Sequence, residues 1–164
     1  IGSRMINARA ETVATKPSFR SAFKRRRARS PADGYYEWRR EGSRKRPFRF
    51  QRRGNPVFTF AGLWEEALFP DGTTWQTFTI LTCPPNPIAA AIHDRMPVII
   101  EPKDYDEWLH TGASRVARLQ ALLRPYAADD LEYYEVSTAV NSPRNDSPEC
   151  ATPLPEANAP DLWR

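Results

Sequence analysis

Two residues of this chain could move protons. His93, one of two histidines, stands beside Asp94 and directly before an apolar run at residues 96–100. An imidazole exchanges protons near neutral pH because its ordinary pKa is about 6.5, although composition alone favours a structural core histidine here. Glu37 lies between Tyr36 and Trp38 on a presumed strand. An aromatic surrounding would raise the pKa of its carboxyl group towards neutrality, whereas the competing interpretation is an outward-facing strand residue.

A polar group and two cations accompany this pair. Asn7 offers an amide that can orient a hydroxyl or an amine; its alternative is a turn or capping residue. Arg9 and Arg95 could each hold a phosphate in a two-pronged contact. For each arginine the alternative is an ion pair with Glu11 or Asp94. We interpret Glu11 as structural.

The positive charge is concentrated in the first part of the chain. The net charge is +4, but residues 1–60 hold 17 Lys and Arg against four acids, and the remainder holds 7 against 16. These balances of +13 and −9 suggest a polyanionic partner for the first part. The basic run at residues 24–27, followed by Arg29, is either a nucleic-acid contact or a solvated face.

Length and composition limit the class of protein. A chain of 164 residues with 40% hydrophobic content is long enough for one domain, which we place at residues 1–154 with a tail at 155–164. No apolar run approaches the roughly 18 residues of a membrane helix, and no signal-peptide pattern is present. Cys83 and Cys150 have neither disulfide-framework nor metal-site spacing. We expect a cytoplasmic monomer without a metal or cofactor, with both cysteines acting as small hydrophobic residues.

Strands dominate the elements that must position these residues. Pro17 suits the first turn of a helix that presents Phe19, Ala22 and Phe23 on one face and ends before Pro31. Strands are predicted at residues 34–40, with a turn at 42–43, and at 47–51, 56–64 and 74–82. A Pro-Asp-Gly turn at 70–72 precedes the last of them.

The second half mixes short helices with strands. A short helical segment from Asn86 delivers His93, and a strand covers residues 97–100. Helices follow from Pro102 through Leu109, where His110 is a cap or solvated, and around 116–123. A last strand at 132–137 precedes a loop. Irregular alternation of strands and helices predicts an α+β fold with a curved, mainly antiparallel, barrel-like sheet.

Four stretches together carry a family resemblance. They are NARAET at 7–12, ADGYYEW at 32–38, IHDRMPVII at 92–100 and VSTAVNSPRNDSPE at 136–149. Over residues 7–149, and in this order, the chain resembles the SRAP family (SOS response-associated peptidase), whose members capture abasic sites in single-stranded DNA. The resemblance implies that Glu37 and His93 assist proton transfers and that Asn7 orients the reactants.

The family's mechanism depends on an N-terminal cysteine. By resemblance, its α-amine attacks the C1′ aldehyde of an abasic deoxyribose to give a Schiff base, and its thiol then closes a stable thiazolidine. Self-catalysed removal of the initiator methionine explains the peptidase name. The present sequence begins at Ile1, and an internal cysteine such as Cys83 has no free α-amine. We therefore expect the intact protein to carry a preceding segment with the nucleophile.

Three functions remain open. The first is capture of abasic sites in single-stranded DNA, with DNA binding assigned to Arg9, Lys16, Arg20 and Arg95. The second is a non-catalytic single-stranded nucleic-acid-binding module that stacks bases on aromatic residues such as Tyr35, Tyr36 and Trp38. The third, a self-processing peptidase without a DNA role, is disfavoured by the charge asymmetry. A cysteine after the initiator methionine of the intact gene favours the first over the second.

Overall fold

The structure, a computed structural model, describes residues 5–54, 56–110 and 116–155. Within these ranges the strands are β1 (Asn7–Arg9), β2 (Arg27–Ala32), β3 (Tyr35–Glu41), β4 (Arg44–Arg52), β5 (Phe58–Leu68), β6 (Thr74–Cys83), β7 (Met96–Pro97), β8 (Ile99–Ile100) and β9 (Leu131–Glu135). The α-helices are α1 (Arg20–Arg25), α2 (Pro87–Ala90), α3 (Tyr105–Leu109) and α4 (Val116–Leu122). Short 3₁₀ turns lie at Pro102–Asp104, Thr138–Asn141 and Pro148–Ala151.

The strands form two sheets. The larger has the order β1-β6-β5-β2, with β7 added to β6 and β8 to β5, and the smaller has the order β3-β4-β9. Strand β1 runs parallel to β6, and the other pairs are antiparallel. The predicted α+β class with a curved, mainly antiparallel sheet is confirmed.

Large apolar side chains from both sheets and from the helices form one core. Each of its most buried members has less than 2% of its surface exposed; they include Phe23, Phe50, Leu81, Met96 and Trp108. Full burial of a side chain of this size contributes about 1.5–3 kcal/mol. The short helices therefore depend on this packing rather than on their own propensity.

The first helix is shorter than predicted. Turns occupy residues 17–19, α1 ends at Arg25, and residues 27–32 form β2. Six residues of β2 pair with β5, and the Trp108 indole donates to the Ala28 carbonyl at 2.8 Å. Because this ladder satisfies the backbone of residues 27–32, it outweighs the helix propensity of the Arg-Ala run. The predicted apolar face is confirmed, since Ala22 and Phe23 are buried.

The predicted turns, the helix start at Asn86 and the cap position of His110 are confirmed. Gly42 and Gly72 have φ values of 62° and 82°, a left-handed conformation that a β-carbon disfavours. The Asn86 side chain caps α2 by accepting the amide N–H of Ala89 at 2.8 Å. His110 is the C-cap of α3, as one of its predicted roles required.

The predicted strand at 97–100 is divided into β7 and β8. Val98 lies between them, where its N–H donates to Leu81 on β6 and its carbonyl accepts from Ala61 on β5. Residues 96–100 therefore pass from pairing with β6 to pairing with β5. After β9 the chain has 3₁₀ turns and a β-bridge from Val136 to Pro153 rather than a featureless loop.

Two further sequence predictions concern membrane helices and the C-terminal tail. In those ranges no helix is long and apolar enough to cross a membrane. Of the predicted tail at 155–164, residues 156–164 lie outside the described residues.

Candidate active site

The structure brings Glu37 and His93 together. Strand β3 supplies Glu37, and the turn that follows α2 supplies His93. The backbone N–H of His93 donates to the Ala89 carbonyl at 2.9 Å. Nε2 of His93 lies 3.8 Å from Oε2 of Glu37. This separation exceeds a direct hydrogen bond, so a water molecule or a substrate hydroxyl is needed to join the two groups.

Glu37 is the more buried member of the pair. Its side chain is 23% exposed. Burial raises the pKa of the Glu37 carboxyl above its ordinary value; His93 lowers this pKa and the Asp94 carboxylate raises it, with the net direction upward. The direction predicted from the sequence is thus confirmed, and its main physical cause is desolvation.

The orientation of the His93 ring is set by the next turn of the chain. Its Nδ1 accepts the N–H of Arg95 at 3.1 Å and lies 3.3 Å from Oδ1 of Asp94. The same Nδ1 also lies 3.3 Å from the Arg95 carbonyl oxygen. These contacts leave the other ring nitrogen, Nε2, facing Glu37.

A cleft of about 480 Å³ opens beside this pair. It is lined by Trp38, Arg39, Arg40, Ile92, His93 and Asp94. The Trp38 indole donates to Oδ1 of Asn141 at 2.6 Å, which joins the second and fourth sequence stretches and holds one wall of the cleft. Sequence reasoning missed Arg39 and Arg40, although two consecutive basic residues directly after the YYEW stretch were a signal for them.

Asn7 and Arg9 share one face of the larger sheet. Both are exposed on β1, with Ala8 buried between them. Arg9 pairs in register with Thr82, whose carbonyl accepts from Nη2 of Arg95 at 2.6 Å. The fold thus gathers Arg9 and Arg95 around Thr82, while the functional roles of these residues and of Asn7 stay predictions.

Of the alternatives for Arg95, the ion pair with Glu11 is present. Hydrogen bonding to Glu11 raises the pKa of Arg95, and the same contact lowers the pKa of Glu11. The interpretation of Glu11 as a structural residue is consistent with this contact. Phosphate binding by Arg95 would occur beside an existing counter-ion.

Lys16 and Arg20 lie on the surface around the start of α1. Both are exposed; Nζ of Lys16 lies 5.5 Å from the centre of the Phe19 ring, and Arg20 begins α1. Among the described residues, no contact joins either of them to Glu37 or His93. Their assignment to DNA binding therefore stays a prediction that rests on charge alone.

The two cysteines are buried free thiols, at 0% and 6% exposure for Cys83 and Cys150. Burial raises the pKa of the Cys83 thiol to about 11, so the thiol stays protonated at neutral pH. The prediction that both act as small hydrophobic residues is confirmed. In the described ranges, no group of three or more His, Cys, Asp or Glu residues is arranged to hold a metal ion.

Comparison with known proteins places this chain in a family. The family model of the SOS response associated peptidase (SRAP) matches residues 1–143. The chain belongs to the SRAP family. It is 48% identical over 150 residues to the abasic site processing protein YoqW of Bacillus subtilis, with 91% of this chain and 67% of that protein covered. The abasic site processing protein HMCES of Gallus gallus is 31% identical over 171 residues, with 90% and 50% covered.

A solved structure has the same fold as this chain. A protein from Bacteroides thetaiotaomicron superposes with a TM-score of 0.84 at 30% sequence identity, over 93% of this chain and 67% of that one. The chain thus spans about two thirds of the length of YoqW and half that of the Gallus gallus protein.

Proposed function

We propose that this chain processes abasic sites in single-stranded DNA by forming a covalent link to them, with Glu37 and His93 as its proton-transfer groups. The observation that carries the proposal is the Glu37–His93 pair, with its 3.8 Å separation, beside an open cleft. Relatives named abasic site processing proteins support the substrate class.

The chemistry requires both a proton donor and a proton acceptor. Attack of an N-terminal α-amine on the C1′ aldehyde gives a carbinolamine, whose hydroxyl must gain a proton before it leaves as water. The resulting imine then takes up a thiol: the sulfur bonds to carbon, and the thiol proton passes to nitrogen. A carboxyl group with a raised pKa donates more readily near neutral pH than an ordinary one, and an imidazole serves as the second proton carrier.

The spacing of the two groups suits a shared substrate oxygen. A direct hydrogen bond would satisfy the pair internally, whereas a 3.8 Å gap leaves Nε2 and Oε2 free to contact a hydroxyl or a water placed between them. Asn7, exposed on β1, is proposed to orient the reactants, as the family resemblance implies.

Single-stranded DNA is the proposed partner because of the charge distribution. Exposed Arg9, Lys16 and Arg20 have no ion-pair partner among the described residues. Phosphate contacts of this kind supply affinity without sequence preference. We also include in the proposal the self-processing that removes an initiator methionine.

The test compares single variants in a version of the protein that begins with cysteine. Glu37→Gln and His93→Ala are expected to slow formation of a stable adduct with single-stranded DNA containing one abasic site by about 10²-fold or more. Binding of an undamaged strand should be nearly unchanged. Glu41→Gln, an exposed glutamate on the same strand, is the matched control. Unchanged adduct rates in both test variants would refute the proton-transfer assignment, and absence of any adduct would favour a non-catalytic binding module.

A further inference from the structure

We propose that Arg40 is a phosphate-binding residue of the cleft, holding a phosphodiester group next to the sugar that faces Glu37 and His93. This inference rests on the proposed function and adds a residue to it. The ligand class is the backbone phosphate of single-stranded DNA.

The first argument is position. Arg40 lines the cleft together with His93. Strand β3, which carries both Glu37 and Arg40, is the edge strand of the β3-β4-β9 sheet. Among the described residues no strand pairs with its other edge, so an extended polymer can lie along that edge.

The second argument is the state of the neighbouring arginines. Glu41 forms ion pairs of 2.7 Å with Arg39 and 3.0 Å with Arg46, and Glu135 also pairs with Arg46. Arg40 is exposed, and among the described residues no side chain forms an ion pair or hydrogen bond with its guanidinium. It is thus the arginine of this cleft whose charge is not already neutralised by a described carboxylate.

The third argument is the distribution of charge across the cleft. Asp94, 87% exposed, lies on the wall that carries His93, so a phosphate is repelled from that wall. Arg40 belongs to β3, the other segment that lines the cleft. The cleft therefore favours an anion near Arg40 and an uncharged sugar near His93.

The chemistry of arginine fits this ligand. A guanidinium presents a planar fork of donors that matches two phosphate oxygens. The wall beside Arg40 is fixed by the hydrogen bond from Trp38 to Asn141. A fixed wall lowers the ordering cost of the bound strand.

The experiment measures affinity for a short single-stranded oligonucleotide with one tetrahydrofuran abasic analogue, by fluorescence anisotropy over a range of salt concentrations. The full 164-residue chain is compared with Arg40→Gln and Arg44→Gln. Arg44 is the matched control: it is exposed on the same hairpin and carries the same charge, but it does not line the cleft. Thermal unfolding of both variants should match that of the parent chain.

We expect Arg40→Gln to weaken binding about tenfold, the contribution of one charge-assisted hydrogen bond. It should also reduce the slope of log affinity against log salt by about 0.7. Arg44→Gln should change affinity by no more than about twofold, as for a charge without a specific contact. Equal effects of the two variants would overturn the role of Arg40 and leave the proposed function standing. Absence of salt-dependent DNA binding by the parent chain would overturn both.

Discussion

Arg95 and Glu11, 84 residues apart in the sequence, form a two-pronged ion pair in which Nη1–Oε1 is 2.5 Å and Nη2–Oε2 is 3.0 Å. Nη2 also donates to the Thr82 carbonyl. Arg9, on the neighbouring strand, forms no ion pair with a described residue. The sequence suggested the same two alternatives for both arginines, but only Arg95 is tied into the fold.

We therefore expect Arg9→Ala and Arg95→Ala to weaken binding of single-stranded DNA, while only Arg95→Ala lowers stability. Loss of Arg95 leaves Glu11 and the Thr82 carbonyl without their donor, which should cost about 1–3 kcal/mol. Thermal unfolding and anisotropy titrations on the same samples separate the two effects. A loss of stability in Arg9→Ala equal to that in Arg95→Ala would contradict this distinction.

Glu37→Gln should stabilise the protein at neutral pH. Because the pKa of Glu37 is raised in the folded state, the folded protein binds this proton more tightly than the unfolded chain does. Stability is then lost as pH rises from the unfolded value of about 4.3 through the folded pKa. The glutamine variant lacks this loss, so its advantage in melting temperature should grow between about pH 4 and pH 7.

Glu41→Gln is the control, because the pKa of Glu41 is shifted in the opposite direction from that of Glu37. Hydrogen bonds from Arg39 and Arg46 lower the pKa of Glu41, so its contribution is present above its unfolded pKa and is lost as pH falls. The Glu41 variant should therefore show no gain in melting temperature at neutral pH. An equal gain in both variants would indicate a general charge effect instead of desolvation at Glu37.

The basic run at 24–27 should divide into structural and dispensable residues. Arg27 is 6% exposed and donates to the Trp108 carbonyl at 2.5 Å, to the Phe23 carbonyl at 2.6 Å and to the His110 carbonyl. Arg27→Ala should destabilise the fold by about 3 kcal/mol or more, because several buried carbonyls lose their donor. Arg25→Ala, at an exposed position, should change stability by less than about 0.5 kcal/mol. Chemical denaturation of both variants decides the point.

Binding of single-stranded DNA should weaken steeply with salt. If Arg40 and the four cations assigned from the sequence, Arg9, Lys16, Arg20 and Arg95, each contact one phosphate, the slope of log affinity against log salt is about −3.5. Titrations at several salt concentrations measure it. A flat dependence would remove DNA as the partner.

A polypeptide of residues 1–164 should form no stable adduct with abasic DNA. The thiazolidine requires an α-amine and a thiol on one residue, whereas the first residue is Ile1, and Cys83 and Cys150 are internal. Denaturing electrophoresis without an imine-trapping reductant is the assay. A shifted band that persists in a Cys83→Ala, Cys150→Ala double variant would refute the thiazolidine mechanism. A band that appears only after addition of an N-terminal segment beginning with cysteine would support it.

Local signals in the sequence were sufficient for much of the secondary structure. The strand predicted at 34–40 lies at Tyr35–Glu41, and the predicted turn follows at residues 42–43. The short helical segment predicted from Asn86 is α2, which the Asn86 side chain caps. These features depend on side-chain alternation, on positive φ at glycine and on capping by a near neighbour, all of which act within a few residues.

Long-range pairing decided the rest. The sequence by itself determined which residue types were present for chemistry, Glu37 and His93 among them, and the direction of the Glu37 pKa shift. Only the tertiary structure placed His93 beside Glu37, buried Arg27 and coupled Arg95 to Glu11. Partners 56, 81 and 84 residues away in the sequence fix these contacts, and pairing of β2 with β5 overrode local helix propensity. Such contacts depend on which strands pair and in what register, and a local pattern of residues does not specify that.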